Sequence, residues 1–255
     1  MSDTVLTQLE DSGVLRVTLN RPDRKNAFNI EQWNRFQDVL AEARDNPAVA
    51  CLLISGAGKD FSSGTDLTEM GDSGEEHPFE KTARALVDFD KPIVAAAKGV
   101  AVGGGATLLL HTDVIYVGKS LRMRFPFVNL GLVPEWGSST ALAAMVGSRR
   151  AAELMYTARW LNGDDALEVG IATAVCEDDE LEAQALATAE SIAQWPVSSL
   201  VATKRLIRRD LVADSHAAID AEQKAMYDIA GSPENVEAIM AFMEKRQPDF
   251  KQFRR

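Results

Sequence analysis

The first 45 residues carry two kinds of hydrophobic pattern. Apolar and polar residues alternate along 5–10 and 14–20, and Asp11-Ser12-Gly13 lies between them. This arrangement predicts a β-hairpin. Asn29 then precedes a helical pattern over residues 30–44 and is a suitable N-cap. The chain is therefore expected to open with two paired strands followed by a helix.

Continuous apolar runs come next. Residues 49–55 and 92–100 have few polar interruptions, which is typical of strands buried on both faces, and 113–117 is a shorter strand candidate. Helical patterns at 79–89 and 106–111 separate them. Strands that alternate with helices predict an α/β architecture with a parallel-type sheet.

From about Ser138 onward, helical patterns dominate. We predict helices at 140–145, 149–157, 166–169, 180–194, 198–213, 215–230 and 233–245. The last of these form an amphipathic region too short to be an independent domain. We expect residues 1–195 to form the ligand-binding core and residues 196–255 a helical C-terminal region that covers the core or a neighbouring subunit.

Charge, cysteine content and the N-terminal sequence limit the classes of protein to which this chain can belong. The 255 residues carry a net charge of −11, which argues against a general nucleic-acid binder. Cys51 and Cys176 lie in apolar strand-like settings and are expected to be buried, reduced thiols. The N-terminus lacks the pattern of a signal peptide, and charged and glycine residues interrupt the apolar stretch at 92–117. We expect a cytoplasmic protein that does not span a membrane.

Two glycine-containing loops follow predicted buried strands. Gly64 lies in KDFSSGTDL, and Gly103-Gly104-Gly105 leads into the helix at 106–111. Such turns can direct backbone N–H groups at an anion or a polarised carbonyl, although each alone could be a simple connection. A dinucleotide site fits poorly, because the G-x-G-x-x-G spacing is missing. Together, the two loops could form an oxyanion hole.

Four segments carry a resemblance to a known family: RPDRKNAFN, KDFSSGTDLTEM, KPIVAAAKGVAVGGGATLLLHTD and FPFVNLGLVPEWGSSTALAAMVG. In this order and spacing, the chain resembles the crotonase (enoyl-CoA hydratase/isomerase) superfamily over nearly its whole length. The resemblance implies a crotonase-like core of repeated ββα units with a helical C-terminal trimerisation region. It also implies an acyl-CoA thioester as substrate and a homotrimer, or a hexamer built as a dimer of trimers.

The resemblance also implies residue roles. The oxyanion donors are expected to be the N–H groups of Thr65 and Gly104. Lys59 and Lys245 are expected near the CoA phosphates, although Thr68 stands where relatives often have a lysine. The remaining residues expected to line the substrate site are Asn26, Ala27, Phe28, Ser63, Gly64, Asp66, Leu67, Gly103, Phe127 and Trp136.

The acidic side chains suggest the reaction. Hydratases of this superfamily use two glutamates, but the matching positions here are Thr107 and Phe127. Glu135, in GLVPEWG, matches instead the single acid of 3-enoyl-CoA isomerases and related ring-modifying isomerases. Its apolar neighbours are expected to raise the carboxyl pKa. The alternative is an exposed glutamate at a helix N-terminus.

These residues predict an enoyl-CoA isomerase that needs no cofactor, since coenzyme A is part of the substrate. Glu135 would move a proton from C2 to C4 of a 3-enoyl-CoA, and Phe125, Phe127 and Trp136 would keep the acyl pocket dry. The alternatives are a hydratase-like lyase, a thioester hydrolase or dehalogenase that uses Glu135, and a non-catalytic acyl-CoA-binding protein. No metal site is expected.

Overall fold

The protein was analysed as a computed structural model, which describes residues 3–66 and 78–254. Its main sheet has six strands in the order β1-β2-β3-β4-β6-β8. The strands of this sheet are β1 (Val5–Leu9), β2 (Val14–Leu19), β3 (Cys51–Gly56), β4 (Ile93–Ala97), β6 (Val114–Gly118) and β8 (Ala174–Cys176). A second sheet pairs β5 (Val100–Val102) with β7 (Arg122–Arg124) in parallel.

Helices connect and cover these strands. They are α1 (Ile30–Asp45), α2 (Pro78–Val87), α3 (Gly104–Leu109), α4 (Ser138–Val146), α5 (Ser148–Thr157), α6 (Gly163–Glu168), α7 (Leu181–Ala193), α8 (Val197–Ile229) and α9 (Pro233–Met243). The predicted mixed α/β architecture and helical C-terminal region are confirmed.

The sheet follows the hydrophobic pattern. β1 and β2 form the predicted antiparallel hairpin, whereas the pairings from β2 through β8 are parallel. All five residues of β4 are buried, as are the first five of β3, because helices cover both faces of a parallel sheet. α1 begins where predicted, and the Asn29 side chain accepts a hydrogen bond from the Gln32 N–H.

The apolar run at 92–100 forms two strands, so the prediction of one strand was wrong. Lys98 and Gly99 make a turn between β4 and β5, with Gly99 at φ +58°. A Cβ on Gly99 would lie 2.1 Å from the Lys59 carbonyl oxygen, so only glycine fits this approach. The turn moves β5 out of the main sheet and towards the loop that follows β3.

The C-terminal prediction of separate helices at 198–213 and 215–230 was also wrong. Both segments belong to the single 33-residue helix α8. Ser215, next to the expected break, is fully buried and packs against Gly137 at the start of α4. This tertiary contact outweighs the weak helix propensity of Asp214 and Ser215. The strands β7 and β8 were not predicted, since three residues give too short a pattern to read.

Several expectations concern features outside the sheet. Cys51 and Cys176 are buried and free, as predicted. No helix among residues 3–66 and 78–254 is long and apolar enough to cross a membrane. The sequence also predicts a short helix at 66–70 and a polar loop at 71–78, and both fall mostly on residues 67–77, outside the described residues.

Candidate active site

The first glycine loop is held by backbone pairing with residues 26–28. The Phe28 N–H donates to the Gly64 carbonyl (2.8 Å), and the Asp66 N–H donates to the Phe28 carbonyl (2.8 Å). The buried Ser62 hydroxyl donates to the Asn26 carbonyl (2.8 Å) and accepts from the Gly64 N–H (3.1 Å). The loop is therefore fixed on the side facing the N-terminal segment.

Gly64 allows this loop to approach the next one. Its φ is +87°, and a Cβ at this position would lie 2.6 Å from the Val102 carbonyl oxygen and 3.0 Å from the Gly104 nitrogen. A side chain would therefore force the two loops apart.

Asn26 is a structural residue of this loop. Its side chain is fully buried, and the amide donates to the carbonyls of Ala57 (3.0 Å) and Asp60 (2.7 Å). Its side-chain oxygen accepts from the Arg21 N–H (2.9 Å). Its backbone N–H donates to the Arg21 carbonyl (2.9 Å), and its carbonyl accepts from Ser62, so side chain and backbone are both used within the fold. The predicted contact of Asn26 with substrate stays a prediction.

The second loop is the glycine triplet. The Gly103 N–H donates to the Arg124 carbonyl (3.2 Å), and Gly103 has φ +53°. Gly104 is the first residue of α3, so its N–H has no partner within the helix. A Cβ on Gly105 would lie 2.2 Å from the Ser62 carbonyl oxygen, so the close approach of the two loops also requires glycine here. The sequence pattern predicts this helix to begin two residues later, at residue 106.

The two loops and Glu135 meet at Gly104. A Cβ built on Gly104 would lie 3.8 Å from the Thr65 nitrogen, 3.7 Å from Gly64 Cα and 3.4 Å from Glu135 Oε1. The N–H groups of Thr65 and Gly104 donate no hydrogen bond to any residue in the described parts of the chain. Two unused backbone donors beside one carboxyl group can bind a thioester oxygen while the carboxylate acts on the adjacent carbon.

Glu135 lies in the turn before α4 and is partly exposed. Burial, and to a smaller extent the nearby Glu222 carboxylate, together raise the pKa of its carboxyl group to about 8. A carboxyl group whose pKa lies near neutral pH can both accept and return a proton. This environment differs from that of a fully exposed glutamate at a helix N-terminus.

Two residues that hold this turn were missed by sequence analysis. Glu222 on α8 accepts from the N–H groups of Gly137 (2.6 Å) and Ser139 (2.9 Å). His111, just after α3, hydrogen-bonds through Nε2 to the Trp136 carbonyl (2.6 Å). Glu222 lies 85 residues from Gly137, and no local pattern signals such a contact.

The two positions at which the resemblance implies hydratase glutamates carry no acid. Thr107 is fully buried, and its hydroxyl donates to the Gly104 carbonyl (3.2 Å). Phe127 is also buried. Thr107 therefore stabilises the first turn of α3 and cannot act as a carboxylate base.

Four aromatic side chains form a cluster on the Glu135 side of the core. Trp136, next to Glu135, has ring-centroid distances of 5.1 Å to Trp33 and 5.4 Å to Phe79, and Phe28 stacks on Trp33 at 3.9 Å. Sequence analysis predicted Phe28 and Trp136 but not Trp33 or Phe79. Phe28 precedes α1, Trp33 lies on α1, Phe79 lies on α2 and Trp136 precedes α4, so the cluster is visible only in the fold.

The other predicted residues vary in position. Ala27 is buried beside Phe28, and the Ser63 N–H donates to the Lys25 carbonyl (2.9 Å). Asp66 forms an ion pair with Arg21 (3.1 Å). Leu67 lies outside the described residues. The side chains of Lys59 and Lys245 are exposed, and within residues 3–66 and 78–254 neither side chain hydrogen-bonds to the two glycine loops.

Comparison with known proteins identifies the family. The family profile described as Enoyl-CoA hydratase/isomerase matches residues 10–254. The chain is 31% identical to 1,2-epoxyphenylacetyl-CoA isomerase of Escherichia coli (strain K12), over 98% of this chain and 99% of that protein. It is also 31% identical to the short-chain-enoyl-CoA hydratase of Clostridium acetobutylicum, over 94% of this chain and 95% of that protein.

A solved structure shows the same fold. The crystal structure of an enoyl-CoA hydratase/isomerase from Pseudoalteromonas atlantica T6c superposes with a TM-score of 0.93 at 36% identity, covering 97% of this chain and 99% of that one. The chain therefore belongs to the enoyl-CoA hydratase/isomerase family, in the crotonase superfamily, and is an enzyme of that family. The predicted superfamily membership is confirmed.

Proposed function

We propose that this enzyme isomerises a 3-enoyl-CoA to the conjugated 2-enoyl-CoA, with Glu135 as its single acid/base. The carrying observation is the position of Glu135 Oε1, 3.4 Å from a Cβ built on Gly104, beside the unused N–H groups of Thr65 and Gly104. The hydratase positions, Thr107 and Phe127, offer no second carboxylate. One acid/base group is sufficient for proton transfer between two carbons of the same substrate.

The proposed reaction starts with the thioester oxygen bound to the Thr65 and Gly104 N–H groups. Glu135, as the carboxylate, takes a proton from C2, and the electron pair spreads over C2, C4 and the thioester oxygen as a dienolate. The two backbone donors stabilise the negative charge on oxygen. Protonated Glu135 then returns the proton to C4, so the double bond moves to C2–C3 and no atom is gained or lost.

The relatives do not choose between the reactions, because one is named an isomerase and the other a hydratase. The choice rests on the side chains. Hydration needs one group to activate water and a group to protonate C2, whereas isomerisation uses one group twice. The raised pKa of Glu135 supports the second scheme.

A test uses two substrates with one enzyme preparation. Wild-type enzyme with 3-hexenoyl-CoA should give the absorbance of a conjugated thioester. With crotonyl-CoA, loss of this absorbance through hydration should be at least about a hundredfold slower, given the size of a general acid–base contribution. Faster hydration than isomerisation would refute the proposal, and tight acyl-CoA binding with neither reaction would indicate a binding protein.

Glu135→Gln, purified in the same way as wild type, is the matched control. A contaminating isomerase would give the same activity in both preparations. We expect isomerisation to fall by about a hundredfold or more. Binding of 3-hexenoyl-CoA, measured by calorimetry, should persist, since the backbone donors remain.

We also propose that the enzyme assembles as a homotrimer or a dimer of trimers. Large apolar side chains on and beside α9 are exposed in the single chain, among them Ile239 (46%), Met240 (48%), Phe242 (64%) and Met243 (76%). Such a surface favours a protein contact. Mass photometry should show three or six copies, and a stable monomer would contradict the proposal.

Contacts of Lys59 and Lys245 with the CoA phosphates remain part of this proposal. Both side chains are exposed, so each contact would be worth about 1 kcal/mol or less. Lys59→Met and Lys245→Met should each weaken CoA binding by about two- to fivefold at low salt. Unchanged affinity at low salt would show that this lysine does not contact the CoA phosphates.

A further inference from the structure

The turn that carries Glu135 has an unusual backbone. Trp136 has φ +62° and Gly137 has φ +71°, so two successive residues are in the left-handed region. This conformation suits glycine but is disfavoured for a tryptophan, whose Cβ then lies close to the backbone. Contacts from other elements must therefore maintain the turn.

α4 begins without a side-chain cap of its own. Its N-cap residue is Gly137, and the first helical N–H, on Ser138, donates back to the Glu135 carbonyl (3.0 Å). The carboxylate of Glu222, on α8, accepts from Gly137 (2.6 Å) and Ser139 (2.9 Å). Glu222 therefore supplies the cap from a distant helix and satisfies two N–H groups at the end of the Glu135 turn.

We propose that Glu222 is a positioning residue for Glu135: its carboxylate fixes the turn from α8 and so places the Glu135 carboxyl group at the substrate carbons. This inference rests on the proposed function of Glu135. Glu222 is only 7% exposed and hydrogen-bonds to backbone on both oxygens, so it is not itself available to substrate. It acts through the turn.

The opposite side of the turn is held by His111. Its Nε2 lies 2.6 Å from the Trp136 carbonyl oxygen, and Arg208 of α8 donates to the His111 carbonyl (3.1 Å). Burial lowers the pKa of His111 to about 4, with a further contribution from the Arg208 charge. His111 is thus neutral at pH 7 and donates from Nε2–H, which complements the acceptor role of Glu222.

Several charged or titratable groups lie around the turn and bear on the pKa of Glu135. They are Glu222 and Arg208 on α8, with the neutral His111 after α3; Lys204 of α8 lies further away and pairs with Asp113 (2.7 Å). Among these groups, the Glu222 carboxylate raises the Glu135 pKa beyond the effect of burial. Loss of the Glu222 charge is therefore expected to lower the Glu135 pKa.

Two substitutions separate geometry from charge. Glu222→Gln keeps the length of the side chain but removes the charge and turns an amide NH₂ towards a backbone N–H. Glu222→Asp keeps the charge but is shorter by one methylene. Asp228→Asn is the matched control, because Asp228 is exposed on the same helix and the change removes one negative charge.

With 3-hexenoyl-CoA, Glu222→Gln should lower kcat by about tenfold or more and leave KM within about threefold, since misplacement of a reacting group mainly slows chemistry. Because kcat/KM rises with pH as Glu135 ionises, its plateau should be reached at a lower pH in this variant than in wild type. Glu222→Asp should lower kcat by at least about threefold while the profile keeps its position. Asp228→Asn should match wild type.

A purely structural role would reduce stability without a shift in the pH profile, and this result would overturn the proposal. An unchanged kcat in Glu222→Gln would overturn it as well. If Glu222→Gln does not fold, Glu222→Asp decides the question, and an unchanged kcat there counts against Glu222.

The Glu135 carboxyl group can also be titrated by infrared spectroscopy, which needs no turnover. The spectrum of Glu135→Gln is subtracted to isolate the signal of this carboxyl group. A downward shift of this titration in Glu222→Gln supports the proposal even where wild type does not isomerise 3-hexenoyl-CoA. An unshifted titration opposes it whatever the reaction. Failure of the positioning role and failure of the proposed isomerase reaction are thereby distinguished.

Discussion

The two glycine loops and the Glu135 turn form one site but are built differently. The loops offer backbone N–H groups and are held by pairing between nearby strand ends, as between Gly64 and Phe28. The Glu135 turn offers a side chain and is held by His111, just after α3, and by Glu222 on α8. The loops thus depend on backbone hydrogen bonds between distant segments, whereas the carboxyl group depends on side chains that hold its turn.

This difference matters for how a family can change its reaction. Oxyanion donors taken from the backbone are independent of side-chain identity, provided that the glycines remain. In the proposed mechanism the acid/base group is a side chain, Glu135, and the positions expected to match the hydratase glutamates carry Thr107 and Phe127. A fixed backbone site with exchangeable carboxylates allows hydratases and isomerases to share one fold.

The largest effect is expected when the approach of the two loops is blocked. A Cβ in Gly64→Ala would lie 2.6 Å from the Val102 carbonyl oxygen, and the residue would keep a left-handed φ. Displacement of the Thr65 N–H should lower kcat/KM by about a hundred- to a thousandfold, the range for one oxyanion donor. Steady-state kinetics with 3-hexenoyl-CoA checks this.

Gly147→Ala is the control for backbone strain. Gly147 has φ +80°, but a Cβ there meets no atom within 4 Å. It should reduce stability by about 1 kcal/mol and leave kcat/KM unchanged. Equal kinetic losses in both variants would mean that strain, and not the loop geometry, explains the result.

The next effect concerns the side chain of the Glu135 turn. Since burial raises the pKa of Glu135 to about 8, and the base must be ionised, kcat/KM should rise with pH until about 8 and then level off. Below this point, the slope should approach tenfold per pH unit. A profile that is flat between pH 6 and 9 would exclude Glu135 as the base.

Much of the fold and half of the site follow from sequence. Buried strands, the Asn29 cap and the glycine loops are local patterns, so they could be predicted. The contacts that fix the Glu135 turn could not be predicted. In the sequence, Glu222 is one of many glutamates on an amphipathic helix, and its role appears only when α8 packs on α4. The Lys98–Gly99 turn was missed for a related reason: a two-residue break in an apolar run acquires meaning only through its contact with Lys59.

A third prediction concerns stability. The folded-state pKa of Glu135 is about 8, against 4.5 for a free glutamate, so between these values the folded chain binds a proton that the unfolded chain has released. The unfolding free energy should therefore fall as pH rises, by up to about 1.4 kcal/mol per unit from this group. Glu135→Gln does not titrate and should gain stability over wild type from pH 5 to 8.

Denaturant unfolding at fixed protein concentration checks this, since assembly also contributes to stability. A stability difference that is constant across this range would show that the Glu135 carboxyl group titrates normally.

The smallest effect is expected from loss of the Ser62 hydroxyl, which hydrogen-bonds within the first glycine loop. Ser62→Ala removes the hydroxyl that bridges the Asn26 carbonyl and the Gly64 N–H. Stability should fall by about 1 kcal/mol, the usual contribution of one hydrogen bond. Activity should drop by less than about tenfold because the strand pairing still holds Gly64. A loss as large as that of Gly64→Ala would mean that the hydroxyl, more than the backbone, sets the loop.

The central claim is that Glu135 moves the proton while the backbone donors stabilise the enolate. Proton NMR of 3-hexenoyl-CoA in deuterium oxide measures the exchange at C2 directly, in wild type and in Glu135→Gln. We predict rapid loss of the C2 proton signal with wild type and at least about a hundredfold slower loss with Glu135→Gln, while the variant still binds the acyl-CoA. Equal exchange rates in the two proteins would contradict the account.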